Sequence, residues 1–335
     1  MIADSDVHLG GVIRHMLVSM GFSNIHVTQS GTTALNLIRS AGYDLLITDW
    51  NIRDIDGIEL LRDIRRSPQS ANPTMPVVML TGRMDIKDVR IARDEGVHEY
   101  VLKPFSAKSL YQRLERTVES PRPFIVGKNF VGPDRRSQKL QPERERRERM
   151  LTAQPRPMAA AQTIQTIADP IVWSPDRALK QKLGTQTLRS IITPEVLTKA
   201  QCSIDTAGQE ALKWMAENLA ELRRIRRQLA VAPDEPTMLT LCNAALMLSS
   251  RAGTFGHQQA SEVAAMLYSF CRQQLVADNI AHGQIVDKHL EVLQFLIAMN
   301  MRTGLADMAP LKQELKKLIM RHAPESGAAS YSLHG

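Results

Sequence analysis

The chain has 335 residues, 43% of them hydrophobic and 23% charged, so two folded units are expected and a wholly disordered or collagen-like chain is excluded. Aromatic residues make up only 4% against 16 methionines, which favours helical packing over an all-β architecture. The formal charge of +7 is unevenly spread: residues 121–190 hold 14 Lys+Arg against 6 Asp+Glu, while residues 1–120 hold 14 against 15 and residues 191–335 hold 14 against 14.

The first 120 residues alternate short strand-like runs with helical patterns. MIA opens the chain, followed by NIHVT at 24–28, DLLIT at 44–48, PVVML at 76–80 and EYVL at 99–102. Between them VIRHMLVSMG, ALNLIRSAG, IELLRDIRR, VRIARDEG and LYQRLERTV carry apolar residues at helical spacing, several ending at Gly. Five βα units predict an α/β, doubly wound parallel sheet whose ligands bind beyond the carboxyl ends of the strands. Four polar residues stand at those ends: Asp4, Asp49, Thr81 and Lys103. The opening strand is unusually short, which predicts that the natural strand starts upstream.

The segments ITDWNIRDIDGIELL, VVMLTGR and EYVLKPF resemble the signature segments of bacterial two-component response-regulator receiver domains, over about residues 1–120. The resemblance implies a flavodoxin-like receiver fold. It makes Asp49 the phosphoacceptor, Thr81 the hydroxyl that bonds the phosphoryl group, Lys103 its cationic partner and Tyr100 the aromatic that moves with activation. Pro104 after Lys103 implies a cis peptide bond at that point. An aspartate can attack phosphorus while Mg²⁺ and an ammonium offset charge on the transferring oxygens.

One position departs from the family. The acidic pair that usually closes the first strand is Asp4 then Ser5, with the register fixed by Gly21 and Phe22 at the end of the following helix. The oxygen ligands implied for Mg²⁺ are then Asp4, Asp49 and the backbone carbonyl of Asn51, so a weakened metal site is expected. Asp6 is an acid nearby, but side-chain alternation is expected to point it away from its neighbour Ser5. Loss of that carboxylate also admits a second reading, a receiver-like scaffold that is not phosphorylated.

Residues 121–190, with FVGPDRRSQKL, QPERERRERM and AQPRPMAAAQ, read as a basic and largely flexible linker, and residues 131–162 are expected to join neither core. Glu143, Glu145 and Glu148 alternate with arginines as on a solvated helix, so nucleic acid is not the expected partner. From residue 191 to 323 no strand-like alternation occurs. Long patterns such as VLTKAQCSIDTAGQEALKWMAENLAELRRIRRQL, TMLTLCNAALMLSS, HQQASEVAAMLYSFCRQQL, HGQIVDKHLEVLQFLIAMNM and LKQELKKLIM predict an all-helical bundle, followed by a tail at 324–335.

Within the bundle, LCNAALMLSSRAGTFGHQQASEVAAMLYSFC resembles a histidine-phosphotransfer helical hairpin, with Leu246 where that family places its phosphoacceptor. The resemblance implies a degenerate hairpin that works by docking or dimerisation. His257 and His289 are the remaining candidate imidazoles. The basic run Arg223–Arg227 lacks the turn and second helix of a DNA reader, and no nucleophile and base pair or Gly-rich phosphate loop follows residue 120. The expected function is therefore a non-enzymatic response regulator in a phosphorelay. It would be charged by a sensor histidine kinase or phosphotransfer protein and act on an output protein or a second copy of itself. A DNA-binding regulator is the alternative. The acidic start and the lack of a long apolar run predict a cytoplasmic protein without membrane contact, with Cys202, Cys242 and Cys271 reduced in the core.

Overall fold

A computed structural model describes residues 1–127, 130–135, 171–173, 178–276 and 283–299, together with Gln313 and Lys317. The chain divides into two compact units, Met1–Ser203 and Ile204–Gly335.

In the first unit the described residues form a five-stranded parallel sheet of order β2-β1-β3-β4-β5. The strands are β1 (Ile2–Ala3), β2 (Val27–Thr28), β3 (Leu46–Thr48), β4 (Val77–Thr81) and β5 (Glu99–Leu102). They alternate with helices α1 (Val7–Ser19), α2 (Gly31–Ala41), α3 (Gly57–Arg66), α4 (Ile86–Asp94) and α5 (Ala107–Glu119). This is the predicted flavodoxin-like arrangement. The start of each helix is chemically marked: Asp6 caps α1, Asp56 and Glu59 form a capping box on α3, and Ser106 and Ser109 do so on α5. Met1, Ala3, Leu46, Val77 and Met79 bury one face of the sheet in a cluster with residues of α2 and α3. Strand alternation turns Ile2, Ile47, Val78 and Leu80 to the other face, and all four are buried.

The structure differs from expectation after α5. Phe124–Val126 (β6), Val131–Pro133 (β7) and Ile171–Trp173 (β8) pair as an antiparallel sheet of order β7-β6-β8. Residues 131–135 therefore belong to the first unit rather than to a free linker, and the rest of 136–170 lies outside the described residues. The physical reason is apolar content: Phe124, Val126 and Val131 are fully buried in a cluster of their own, with Trp173 packed on it. Gly96 and Gly132 permit the close backbone approach. A Cβ on Gly96, which has φ +89°, would lie 2.2 Å from the Val131 carbonyl oxygen. Two short helices, α6 (Ala178–Leu183) and α7 (Leu188–Ile191), also pack on α5, with the Leu188 N–H donating to Glu119 at 2.6 Å.

Arg65 joins these pieces. It is wholly buried and donates to the carbonyls of Gly96, Pro73 and Met75 at 3.0, 2.8 and 2.9 Å, and its guanidinium lies 5.2 Å from the Phe124 ring centroid. Its remaining nitrogen and the Val77 N–H both donate to His98 Nδ1, at 3.2 and 3.1 Å. Nδ1 must then be unprotonated. Burial, followed by the charges of Arg65, Arg135 and Arg122, holds the His98 pKa well below the ordinary 6.5. A base whose folded pKa is depressed stabilises the fold above its unfolded pKa, and that contribution is lost as pH falls. Thermal unfolding should therefore show stability declining from about pH 6.5 downward, and His98→Gln should flatten this decline.

In the second unit, α8 (Pro194–Val231) crosses the boundary at Ser203 and is followed by α9 (Glu235–Thr254), α10 (Gln258–Val276) and α11 (Gly283–Ala298). The predicted stripe Trp214, Met215, Leu219, Leu222 and Ile225 is buried throughout. Met215, Leu222, Leu241, Leu248, Leu267 and Leu293 share one core, so the unit is helical as expected. Cys242 and Cys271 are buried, whereas Cys202 is exposed, contrary to its expected core position. The expected helix at LKQELKKLIM lies outside the described residues except at Gln313 and Lys317, and the 324–335 tail lies wholly outside them. Among the described residues no helix is long and apolar enough to cross a membrane.

Candidate functional site

The carboxyl ends of β1, β3, β4 and β5 bring Asp4, Asp49, Thr81 and Lys103 to one crevice. The Asp49 N–H donates to Ala3 at 2.8 Å, which continues the sheet register beyond β3 and fixes the residue at the strand end. Lys103 Nζ donates to Asp4 Oδ2 at 2.7 Å and to Asp49 Oδ2 at 2.9 Å. The Lys103–Pro104 bond is cis. Burial pushes the Asp4 carboxyl up to about 7 against the pull of Lys103. Burial would lower the Lys103 pKa, but the Asp4 and Asp49 carboxylates raise it, so the ammonium stays charged. The Thr81 side chain is wholly buried, and its Oγ1 accepts the Arg83 N–H at 3.3 Å.

Asp4 faces Lys103, and Asp6 is turned to the start of α1, where its Oδ1 accepts the N–H groups of His8 and Leu9, both at 3.1 Å. Ser5 donates its hydroxyl to the Asn51 carbonyl at 2.7 Å. That carbonyl is the backbone oxygen expected to face Mg²⁺. Asp4, Asp49 and this carbonyl supply three hard oxygens, a set that fits a divalent ion, but thinly. Two of them already share Lys103, the third accepts Ser5, and among the described residues no group of three His, Cys, Asp or Glu side chains could hold a metal.

Sequence reasoning missed Arg83. Its Nη2 donates to Asn51 Oδ1 at 2.9 Å, and its guanidinium lies 4.8 Å from the Trp50 ring centroid. Tyr100, the expected switch aromatic, donates its hydroxyl to the Arg83 carbonyl at 2.8 Å. The available signal was position alone: an arginine two residues beyond Thr81, on a strand-end loop. Gly57 was missed too. A Cβ there would fall 2.1 Å from the Asp49 carbonyl oxygen, so Gly57→Ala must displace the strand end that carries Asp49. That variant should unfold at a lower temperature, because the strand end must shift to make room for the Cβ; if Asp49 accepts a phosphoryl group, the variant should take it up at least about tenfold more slowly. Intact mass over time checks the rate.

Residues 1–115 match the model of the response regulator receiver domain family. The chemotaxis protein CheY of Pseudomonas aeruginosa is 34% identical over 119 residues, which cover 36% of this chain and 94% of that protein. The chain belongs to the response-regulator receiver family. CheY-3 of Vibrio cholerae is 30% identical over 119 residues, covering 36% of this chain and 90% of that protein. Among solved structures, CheY4 of Vibrio cholerae covers 35% of this chain and 95% of its own at 23% identity, with a TM-score of 0.33. The receiver domain of a Pseudomonas aeruginosa PAO1 sensor histidine kinase, whose structure has a magnesium ion in the active site cleft, covers 34% and 92% at 25% identity, with a TM-score of 0.32. As a member of the response-regulator receiver family, the first unit carries a receiver domain of two-component signalling.

In the second unit Leu246 is only 6% exposed, so the position aligned with a phosphotransfer acceptor is both non-nucleophilic and buried. His257 and His289 are buried as well, at 1% and 0% exposure. His289 donates from Nδ1 to the Ile285 carbonyl at 2.7 Å and stacks on Phe270.

Proposed function

We propose that Asp49 accepts a phosphoryl group from a sensor histidine kinase or phosphotransfer protein, and that the chain signals by contacts of its helical unit rather than by an enzymatic output. The observation that carries this reading is the Lys103 ammonium, which bridges Asp4 and Asp49 at hydrogen-bond distance. An Asp49 oxygen attacks phosphorus, Lys103 offsets the charge carried onto the transferring oxygens, and the Thr81 hydroxyl donates to one of them. Mg²⁺, where bound, would rest on Asp4, Asp49 and the Asn51 carbonyl and would supply further charge compensation. Incubation of the full chain with acetyl phosphate should add one phosphoryl group by intact mass, and none in Asp49→Asn. An unmodified wild type would favour the unphosphorylated scaffold.

The helical unit is read as a docking or dimerisation element of a cytoplasmic protein. Support comes from the burial of Leu246, His257 and His289, which leaves no accessible imidazole among these candidates. Phosphorylation of the receiver can change docking only if the partner binds the two states differently. Full chain charged at Asp49 should show no acid-labile phosphohistidine. Label at His257 or His289 would make the protein a two-step relay instead.

A further inference from the structure

We propose that the groove between α8 and α11 docks an acidic amphipathic helix of a partner protein, an inference that rests on reading the helical unit as a contact element. The groove holds about 400 Å³, and its apolar wall is made by Ala216, Leu219, Ala220, Ile297 and Ala298, all in the second unit. Phe295 and Met299, three residues before Ala298 and one after it, are exposed and extend the apolar surface of α11. Arg223 and Arg227 line the groove further along α8, at the spacing that keeps them on the face of Ala216 and Ala220. The basic run Arg223–Arg227 divides in two. Arg224 is paired with Glu221 at 2.6 Å and Arg226 with Asp287 at 2.9 Å. Arg223 donates to an uncharged partner, Gln294, and among the described residues Arg227 meets no acidic side chain. Two like charges one turn apart thus line an apolar groove with no counter-charge, an arrangement that costs the isolated helix stability and that an acidic partner would answer.

The shape and charge of the groove select among occupants. From Ala216 to Arg227 it follows α8 for about 17 Å, the length of three helical turns. Its walls are helices, whose backbone groups are already bonded along their own axes, so an extended segment would find no strand edge to pair with. A helix satisfies its own backbone and brings apolar side chains at i, i+3, i+4 and i+7. A second copy joined through this face by two-fold symmetry would set the arginines of one chain against those of the other. Residues 301–323 of this chain carry five Lys+Arg against two Asp+Glu, a charge of the same sign as the groove. Carboxylates beside an apolar stripe match both the wall and the two guanidiniums.

The test measures, by fluorescence anisotropy with the full chain, binding of a labelled synthetic helix of about five turns that has Leu and Ala along one face and Glu on the others. A peptide of the same composition in scrambled order controls for attraction to the basic residues of 121–190, and a third peptide has Lys in place of Glu. The Glu helix should bind at least about tenfold more tightly than the scrambled peptide, and R223Q/R227Q should remove that advantage. R223E/R227E should bind the Lys helix at least about tenfold more tightly than wild type does. A full chain with a benzophenone photocrosslinker in place of Ala216 should couple to the Glu helix on illumination. Equal binding of the Glu and scrambled peptides, an advantage unchanged in R223Q/R227Q, or coupling from position 216 to a second copy or to residues 301–323 in the presence of the Glu helix would overturn the acidic-helix assignment and leave the contact reading standing. Phosphohistidine at His257 or His289 in full chain charged at Asp49 would overturn the contact reading itself.

Discussion

Replacing Arg65 by Ala should lower the stability of the receiver unit by roughly 3–5 kcal/mol, the range for breaking a buried, hydrogen-bonded charge. The side chain is fully buried, and burial brings its pKa down to about 9, a sign of how far its charge is desolvated. What offsets that cost is the ring of acceptors: the carbonyls of Gly96, Pro73 and Met75, with His98 Nδ1 and the Phe124 face. Removing the guanidinium strands three carbonyls, each costing about 1–3 kcal/mol if no water replaces it, and opens a cavity against Phe124. Arg65→Lys should recover little, because an ammonium cannot reach acceptors on so many sides at once. Urea unfolding followed by near-ultraviolet circular dichroism is the measurement. A midpoint for Arg65→Ala within error of wild type would show that the small sheet does not depend on this residue.

Substitution of Lys103 by Gln should slow phosphorylation of Asp49 by about 100-fold or more, the effect of removing one preorganised charge donor from a transition state. Its side chain is 3% exposed and holds two carboxylates at once, so nothing from solvent can take its place in the same geometry. Gln keeps the length and one donor but not the charge. The Asp4 and Asp49 carboxylates, no longer bridged by an ammonium, would repel each other. A rate within threefold of wild type would remove Lys103 from the chemistry.

Much of the receiver was legible because its signals are local. Each βα unit spans a short stretch of chain, the helix caps lie beside the helices they start, and all four strand-end polar residues fell where the strand pattern ended. The Arg65 network was less visible, although its position was readable: Arg65 stands four residues after Leu61, on the buried stripe of α3, where a charged residue contradicts the period. The small sheet was hidden for a different reason. Phe124–Val126 was noticed as an apolar patch, but its partner Ile171–Trp173 lies beyond a long polar stretch, and antiparallel pairing at that separation leaves no local mark. Basic composition therefore outweighed three short apolar runs. At the site, Ser5 was recognised as a lost carboxylate, yet its bond to the Asn51 carbonyl and the approach of Arg83 depend on how two loops meet, which no spacing encodes.

The central claim is that Asp49 is the residue that carries the phosphoryl group. Borohydride reduction converts an aspartyl phosphate to homoserine, so treating the acetyl-phosphate-charged chain with borohydride and mapping its peptides locates the acceptor directly. The account predicts homoserine at position 49 in wild type and none in Asp49→Asn. Homoserine at another carboxylate, or at none while intact mass shows a phosphoryl group added, would contradict it.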